Sequence, residues 1–354
     1  MLKVCIIGGG MIAESAHIPA YRNFNDFTIS AICDNNAEKA EDAAKRNEIP
    51  NFYTNAEKML EKEKPDVVSV CVPNFLHKEF CTLALKHNAN VLCEKPLAFT
   101  EKDAVELFAL AKKQNKTLMA CQSMRFTPDR LLAKKLIDEN VIGEIYYGEF
   151  SRTRRRGMPR WGTFHINKFS CGGAFVDLGV HMVDALIWLL GNPQLKAVSA
   201  NTNLCHKDDE GTLTSTGART GVVNNSRPFD VDEIDVEDFS SGSLLFENNL
   251  RINFTVAWNA NMPESSSINL IGHNNGIYLP DCKLISADDI KEIVPEKERF
   301  SQKSFPGHFH VIEDLLKVLK NEKEPIIKPE ETINVAKIIE NVYKSARNNG
   351  PVIL

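Results

Sequence analysis

Three glycines, Gly8-Gly9-Gly10, stand between a β-rich run, Lys3-Ile7, and a helical stretch that would include Glu14 to Tyr21, with Ala13 three residues beyond the last glycine. Strand, glycine turn and helix in this order form a cradle for phosphate. Gly8 permits the tight turn, Gly10 lets a pyrophosphate approach the backbone, and the small Ala13 lets helix lie on strand. The amides of Met11, Ile12 and Ala13 at the helix start, with the helix dipole, favour the phosphates of a dinucleotide. The alternative is a glycine-rich turn in some other α/β domain.

The segments that follow narrow that choice. Thr28-Cys33, Val67-Val72, Asn90-Cys93 and Thr117-Ala120 read as strands, and Ala37-Arg46, Ala56-Glu63, Lys78-His87 and Glu101-Gln114 as helices, the last with Thr100 as N-cap. Such alternation predicts a Rossmann-type, doubly wound parallel sheet with right-handed crossovers. The second strand ends at Asp34, which is 34 − 10 = 24 residues beyond Gly10. A carboxylate there accepts hydrogen bonds from the adenine ribose hydroxyls and repels a 2′-phosphate, so NAD is expected over NADP. Lys39 lies close enough in sequence to temper that preference, and a turn-capping acid is the other reading of Asp34.

A chain of 354 residues exceeds the size at which single cores stop growing, and the pattern changes after Gln122. Two domains are expected, 1–123 for the dinucleotide and 124–354 as an α+β substrate and oligomer domain. In the second, Asp129-Glu139 and Ala174-Leu190 read as helices. Ile145-Arg154, Lys196-Leu204, Ser241-Phe246, Leu250-Trp258, Ser265-Ile271 and Gly276-Leu279 read as strands of an open, mostly antiparallel sheet, with turns at Asn248-Asn249 and Asn274-Asn275-Gly276. The polar stretch His206-Val236 is expected as a long loop, and His308-Leu319 and Glu330-Ala346 as closing helices. A net charge of −5 argues against nucleic acid as a partner. Nine cysteines without a Cys-x-x-Cys pair read as reduced core thiols of a cytoplasmic protein, and no apolar run is expected to span a membrane.

At Glu94-Lys95-Pro96 the chain resembles the glucose-fructose oxidoreductase, inositol dehydrogenase and rhizopine-catabolism family, Gfo/Idh/MocA. The other matching pieces are the glycine loop, Asp34, Pro73-Asn74 with His77, and Gly172-Gly173 leading into Asp177 and His181. The resemblance implies reversible oxidation of a secondary alcohol on a sugar or cyclitol, and an open sheet with one uncovered face favours a homodimer or homotetramer. It implies that Lys95 is the catalytic lysine, completed by Asp177 and His181, and that Glu94 and Pro96 shape the turn and line the cofactor. It also puts Pro73, Asn74 and His77 near the dinucleotide, Arg125 at the entry to the second domain where it meets substrate, and Trp161 near the nicotinamide.

The chemistry needs such groups, because moving a hydride from a carbinol carbon requires a base on the hydroxyl. A lysine has an ordinary pKa of ~10.4, which burial and a nearby cation lower. Asp177 and His181 stand four apart, so a helix presents both on one face, continued by Asp184. Imidazole exchanges protons near neutrality, so His181 is expected to share a proton relay with Lys95 while Asp177 fixes a substrate hydroxyl. A structural hydrogen bond is the alternative, and no third ligand is spaced to make the pair a metal site. Arg152, Arg154, Arg155, Arg156 and Arg160 form a basic cluster that reads as an anion site or as a solvated strand and loop. Two further functions stay open at this point: an NAD-using glycosidase that oxidises a ring carbon transiently, and a non-catalytic NAD-binding regulator.

Overall fold

The protein is described by a computed structural model over residues 1–205 and 229–354, so residues 206–228 of the expected loop lie outside the described residues. The chain forms two compact units, one of residues 1–123 with 298–333, the other of 124–297 with 334–354. Residues 298–333, expected in the second domain, thus pack with the first. The buried face of the helix Pro306–Leu319, which carries Phe309, Val311, Ile312 and Leu315, accounts for this: it lies against the segment Ala13–Arg22.

The first unit is built on β1 (Leu2–Ile7), β2 (Phe27–Cys33), β3 (Asn51–Tyr53), β4 (Val67–Val70), β5 (Asn90–Cys93) and β6 (Leu118–Ala120). All pair in parallel, in the order β3-β2-β1-β4-β5-β6, as the alternating sequence predicts. β4 is buried at every position, which is why it is valine-rich, with the single polar residue Ser69 hydrogen-bonded to Tyr21 and His17. Helices start where the sequence supplies a cap: Asn36 accepts from the Lys39 amide, Asn55 from Lys58 and Thr100 from Asp103. Each such cap contributes about 1 kcal/mol. Strand order reverses between β1 and β4, so the carboxyl ends of these strands open the crevice where ligands of such sheets bind.

The second unit carries β7 (Ile145–Thr153), β8 (Leu195–Asn203), β9 (Phe239–Phe246), β10 (Arg251–Ala257), β11 (Ser265–Gly272), β12 (Gly276–Leu279), β13 (Lys283–Ile285), β14 (Ile290–Glu292) and β15 (Val352–Ile353). They form one sheet in the order β14-β13-β12-β11-β7-β10-β9-β8-β15. It is antiparallel throughout except where β7 and β10 run parallel. On its apolar face Phe150 stacks on Phe254 at 5.5 Å, and Phe175 meets Phe254 at 5.1 Å. Phe175 belongs to the run Asn167–Leu189, which has the length and composition to cross a bilayer but is mostly buried within the protein. It is the core helix of the second unit.

Candidate active site

In the first unit the carboxyl ends of the strands carry the residues that the sequence singles out. Gly8 has φ +101°, and a Cβ there would lie 2.3 Å from the Cys71 carbonyl oxygen, so only glycine fits between β1 and β4. Gly10, Met11 and Ile12 are half-buried at the open end, while Ala13 is fully buried against the sheet. Asp34 stands just past β2. Its Oδ2 accepts the Gly9 amide at 3.0 Å and pairs with Lys39 Nζ at 2.9 Å, and its Oδ1 accepts the Asn36 amide at 3.2 Å. Pro73 is exposed and Asn74 half-buried in the turn that follows β4. This crevice fits a dinucleotide: a glycine cradle at the switch point, and a carboxylate at the end of the second strand.

Lys95 follows β5. From Val91 to Ala98 every residue is buried except Lys95. Its neighbours hold the turn rather than face the crevice. Glu94 Oε1 accepts from His17 Nε2 at 2.9 Å and from His308 Nε2 at 3.1 Å, while its Oε2 lies 3.2 Å from the Lys95 amide. Burial alone pushes the Glu94 carboxyl up, but the two imidazole hydrogen bonds outweigh it and hold it well below the usual carboxylate range. His77 is buried as well, with Nδ1 2.7 Å from the Pro96 oxygen and Nε2 2.9 Å from the Val72 oxygen. A neutral imidazole donates to one of the two. The resemblance places Glu94 and His77 beside the cofactor; the structure spends both side chains on the loops that bear Lys95 and Asn74.

In the second unit Asp177 lies in a wide helical turn, Phe175–Gly179, that continues into the α-helix Val180–Leu189. Between Gly172 and Leu189 every residue is buried except Asp177 and His181. The indole of Trp258, itself wholly buried, donates to Asp177 Oδ2 at 3.0 Å. The helix start is held by Glu237, which accepts the amides of Gly173 at 2.9 Å and Phe175 at 3.0 Å and the Tyr343 hydroxyl at 2.6 Å. A Cβ on Gly173 would come within 1.9 Å of the Glu237 carbonyl oxygen. Asp184, expected to continue the face of Asp177, is instead buried in a two-pronged pair with Arg125, whose guanidinium is fully buried. The pair orders the core of this unit. Trp161 packs edge-on against Phe164 at 4.7 Å, with its Nε1 buried and without a hydrogen-bond partner. The basic cluster disperses: Arg154 bonds the Gly157 oxygen, Arg156 reaches Asn261, and Arg160 lies over Phe229.

Three residues were missed from sequence. His17 and His308 carry no local motif and gain meaning only through Glu94. Gln122 follows β6 two residues after Ala120, as Lys95 follows Cys93 on the paired strand β5. It is 1% exposed, and neither its Oε1 nor its Nε2 has a partner. A donor and an acceptor side by side suit a carboxamide such as the one on nicotinamide.

A parallel sheet in this strand order with a glycine cradle at its switch point defines a dinucleotide-binding protein. The pattern described as "Oxidoreductase family, NAD-binding Rossmann fold" matches residues 2–122, and "Oxidoreductase family, C-terminal alpha/beta domain" matches 134–354. The chain therefore belongs to the Gfo/Idh/MocA oxidoreductase family. It is 33% identical over 269 residues to the D-glucoside 3-dehydrogenase of Escherichia coli, covering 76% of this chain and 74% of that protein. It is 28% identical to the scyllo-inositol 2-dehydrogenase (NADP(+)) IolU of Bacillus subtilis, over 60% of this chain and 66% of that one. An NAD-binding protein from Listeria innocua superposes with a TM-score of 0.77 at 25% identity, covering 99% of this chain and 96% of that structure.

Proposed function

We propose that the protein catalyses reversible oxidation of a secondary hydroxyl on a sugar, cyclitol or sugar derivative, with NAD as hydride acceptor. The observation that carries the reading is selective exposure. Among buried neighbours, only Lys95 in one unit and Asp177 with His181 in the other keep partial exposure, and these are the set expected for proton removal from a carbinol. The nicotinamide supplies the redox chemistry when bound. Lys95 takes the hydroxyl proton in the oxidative direction and returns it to the carbonyl oxygen in the reductive one. Asp177 accepts a hydrogen bond from a substrate hydroxyl, its carboxylate oriented by Trp258, and His181 serves the proton relay. Asp34 favours NAD through the ribose hydroxyls. The names of the relatives support a carbohydrate or cyclitol substrate. We assign the protein to the cytoplasm as a homodimer or homotetramer, in keeping with nine free thiols and the open polar face of its large sheet.

The test is a panel of sugars, alkyl glucosides and inositols with NAD or NADP, followed by absorbance of the reduced nicotinamide. Nitrophenyl glycosides in the same panel report cleavage without net reduction. Turnover by the wild type, with loss of about 10³-fold in Lys95→Ala, is expected. Undiminished turnover in Lys95→Ala would sink the assignment.

A further inference from the structure

We infer that His17 and His308 are positioning residues for Lys95, acting through Glu94; the inference rests on the role proposed for Lys95. The directions of the hydrogen bonds follow from one another. An ionised carboxylate only accepts, so both imidazoles present Nε2–H to Glu94 Oε1, at 2.9 and 3.1 Å. Burial pushes the His17 imidazole down, so the ring is neutral and its Nδ1 bears no proton. That nitrogen lies 3.2 Å from Ser69 Oγ and accepts from it. Ser69 Oγ in turn accepts from the Tyr21 hydroxyl at 2.8 Å, and burial keeps that phenol protonated. The bonds therefore run one way, from Tyr21 through Ser69 and His17 to Glu94.

The end of this chain is a carboxylate with one permitted orientation. Cys121, whose thiol burial keeps protonated, adds a third side-chain donor to Glu94. The remaining oxygen, Oε2, lies 3.2 Å from the Lys95 amide, and on the following residue the Pro96 oxygen faces His77 Nδ1 at 2.7 Å. The main chain at Lys95 is thus held from both sides. A lysine side chain is long and flexible, so the placing of its ammonium depends on how firmly its root is fixed. His308 comes from the helix Pro306–Leu319, 214 residues beyond Glu94, and this gives that helix a task at the reacting centre.

The same ligand atoms of His17, Glu94, Cys121 and His308 lie within 4.8 Å of one another, a spacing that a metal ion would also accept. The two arrangements differ in where the protons are. Nitrogen spectra of histidine-labelled protein, assigned with His17→Gln and His308→Gln, are expected near neutral pH to show hydrogen on Nε2 of both rings and none on Nδ1 of His17. A proton on His17 Nδ1, an Nε2 without hydrogen on either ring, or a stoichiometric metal that Cys121→Ser removes overturns the inference. In kinetics with the best substrate of the panel above, His308→Ala is expected to lower kcat about 10²-fold while KM for NAD moves less than about threefold. His308→Gln, which keeps an N–H donor, should regain about tenfold or more of that loss. Wild-type kcat in His308→Ala, or an equal loss in both variants, also overturns it. Absence of nicotinamide-dependent turnover in the wild type counts against the proposed function alone, and the spectra then decide the inference by themselves.

Discussion

Asp34 and Lys39 show how one side chain modifies the meaning of another. A lone carboxylate at the end of the second strand repels a 2′-phosphate, but here an ammonium stands 2.9 Å from it. The pair is only partly exposed, so the ammonium offsets much of that repulsion. Lys39→Ala is therefore expected to weaken NADP binding about tenfold, the size of one lost charge-assisted contact, with NAD binding changed much less. Calorimetric titration of each nucleotide into both proteins checks this without any turnover substrate, and an unchanged ratio of the two affinities would remove Lys39 from cofactor choice. At this scale the sequence was partly legible. Asp34, Lys95, Asp177 and His181 could be named from motif and spacing, because each sits at the end of a strand or on a helix that local patterning defines. Arg125, Glu94 and His77 were identifiable as residues of interest but not as buried ones, since burial depends on partners that no spacing reveals.

Among the elements, the parallel sheet of the first unit follows closely from the sequence, because strand and helix alternate within short, locally consistent segments. Two helical segments do not. Ala13–His17 and Phe175–Gly179 form wide turns in which an amide reaches the carbonyl five residues back, Ile18 to Ala13 and Val180 to Phe175. Helical periodicity in the sequence does not distinguish such a turn from an α-turn, and both flank site residues. The second one depends on Glu237, whose carboxyl burial raises above its ordinary value although Tyr343 and the amides of Phe175 and Gly173 pull it down. A carboxyl raised on folding takes up a proton more readily folded than unfolded, so this group's contribution falls as pH rises through that window. Tyr343→Phe removes a donor, raises the carboxyl further, and should cost about 1–3 kcal/mol near neutral pH. The deficit should shrink on acidification toward about pH 5, above which most carboxylates stay ionised. Urea midpoints of the variant and wild type across this range test the sign, and a deficit that grows in acid would contradict it.

On the scale of the whole molecule, the first unit is assembled from two separate stretches of the chain, with residues 298–333 returning to residues 1–123. This was invisible in the sequence, where the helix Pro306–Leu319 has the same amphipathic pattern whichever unit it covers. A fragment of residues 1–123 alone is expected to be cleaved by thermolysin much faster than the same residues in the full chain. Joining 298–333 to it through a flexible linker should restore most of the protection. Equal protection of the short fragment would mean that the returning helix adds nothing. There is also a consequence for biosynthesis. Glu94 leaves the ribosome with His17 already made, but its other imidazole partner is 214 residues away. At a synthesis rate of ~5–20 residues per second, the carboxylate waits about 10–40 s for it. During that interval the lysine turn lacks one of the two imidazoles that hold its carboxylate, while most of the second unit is translated.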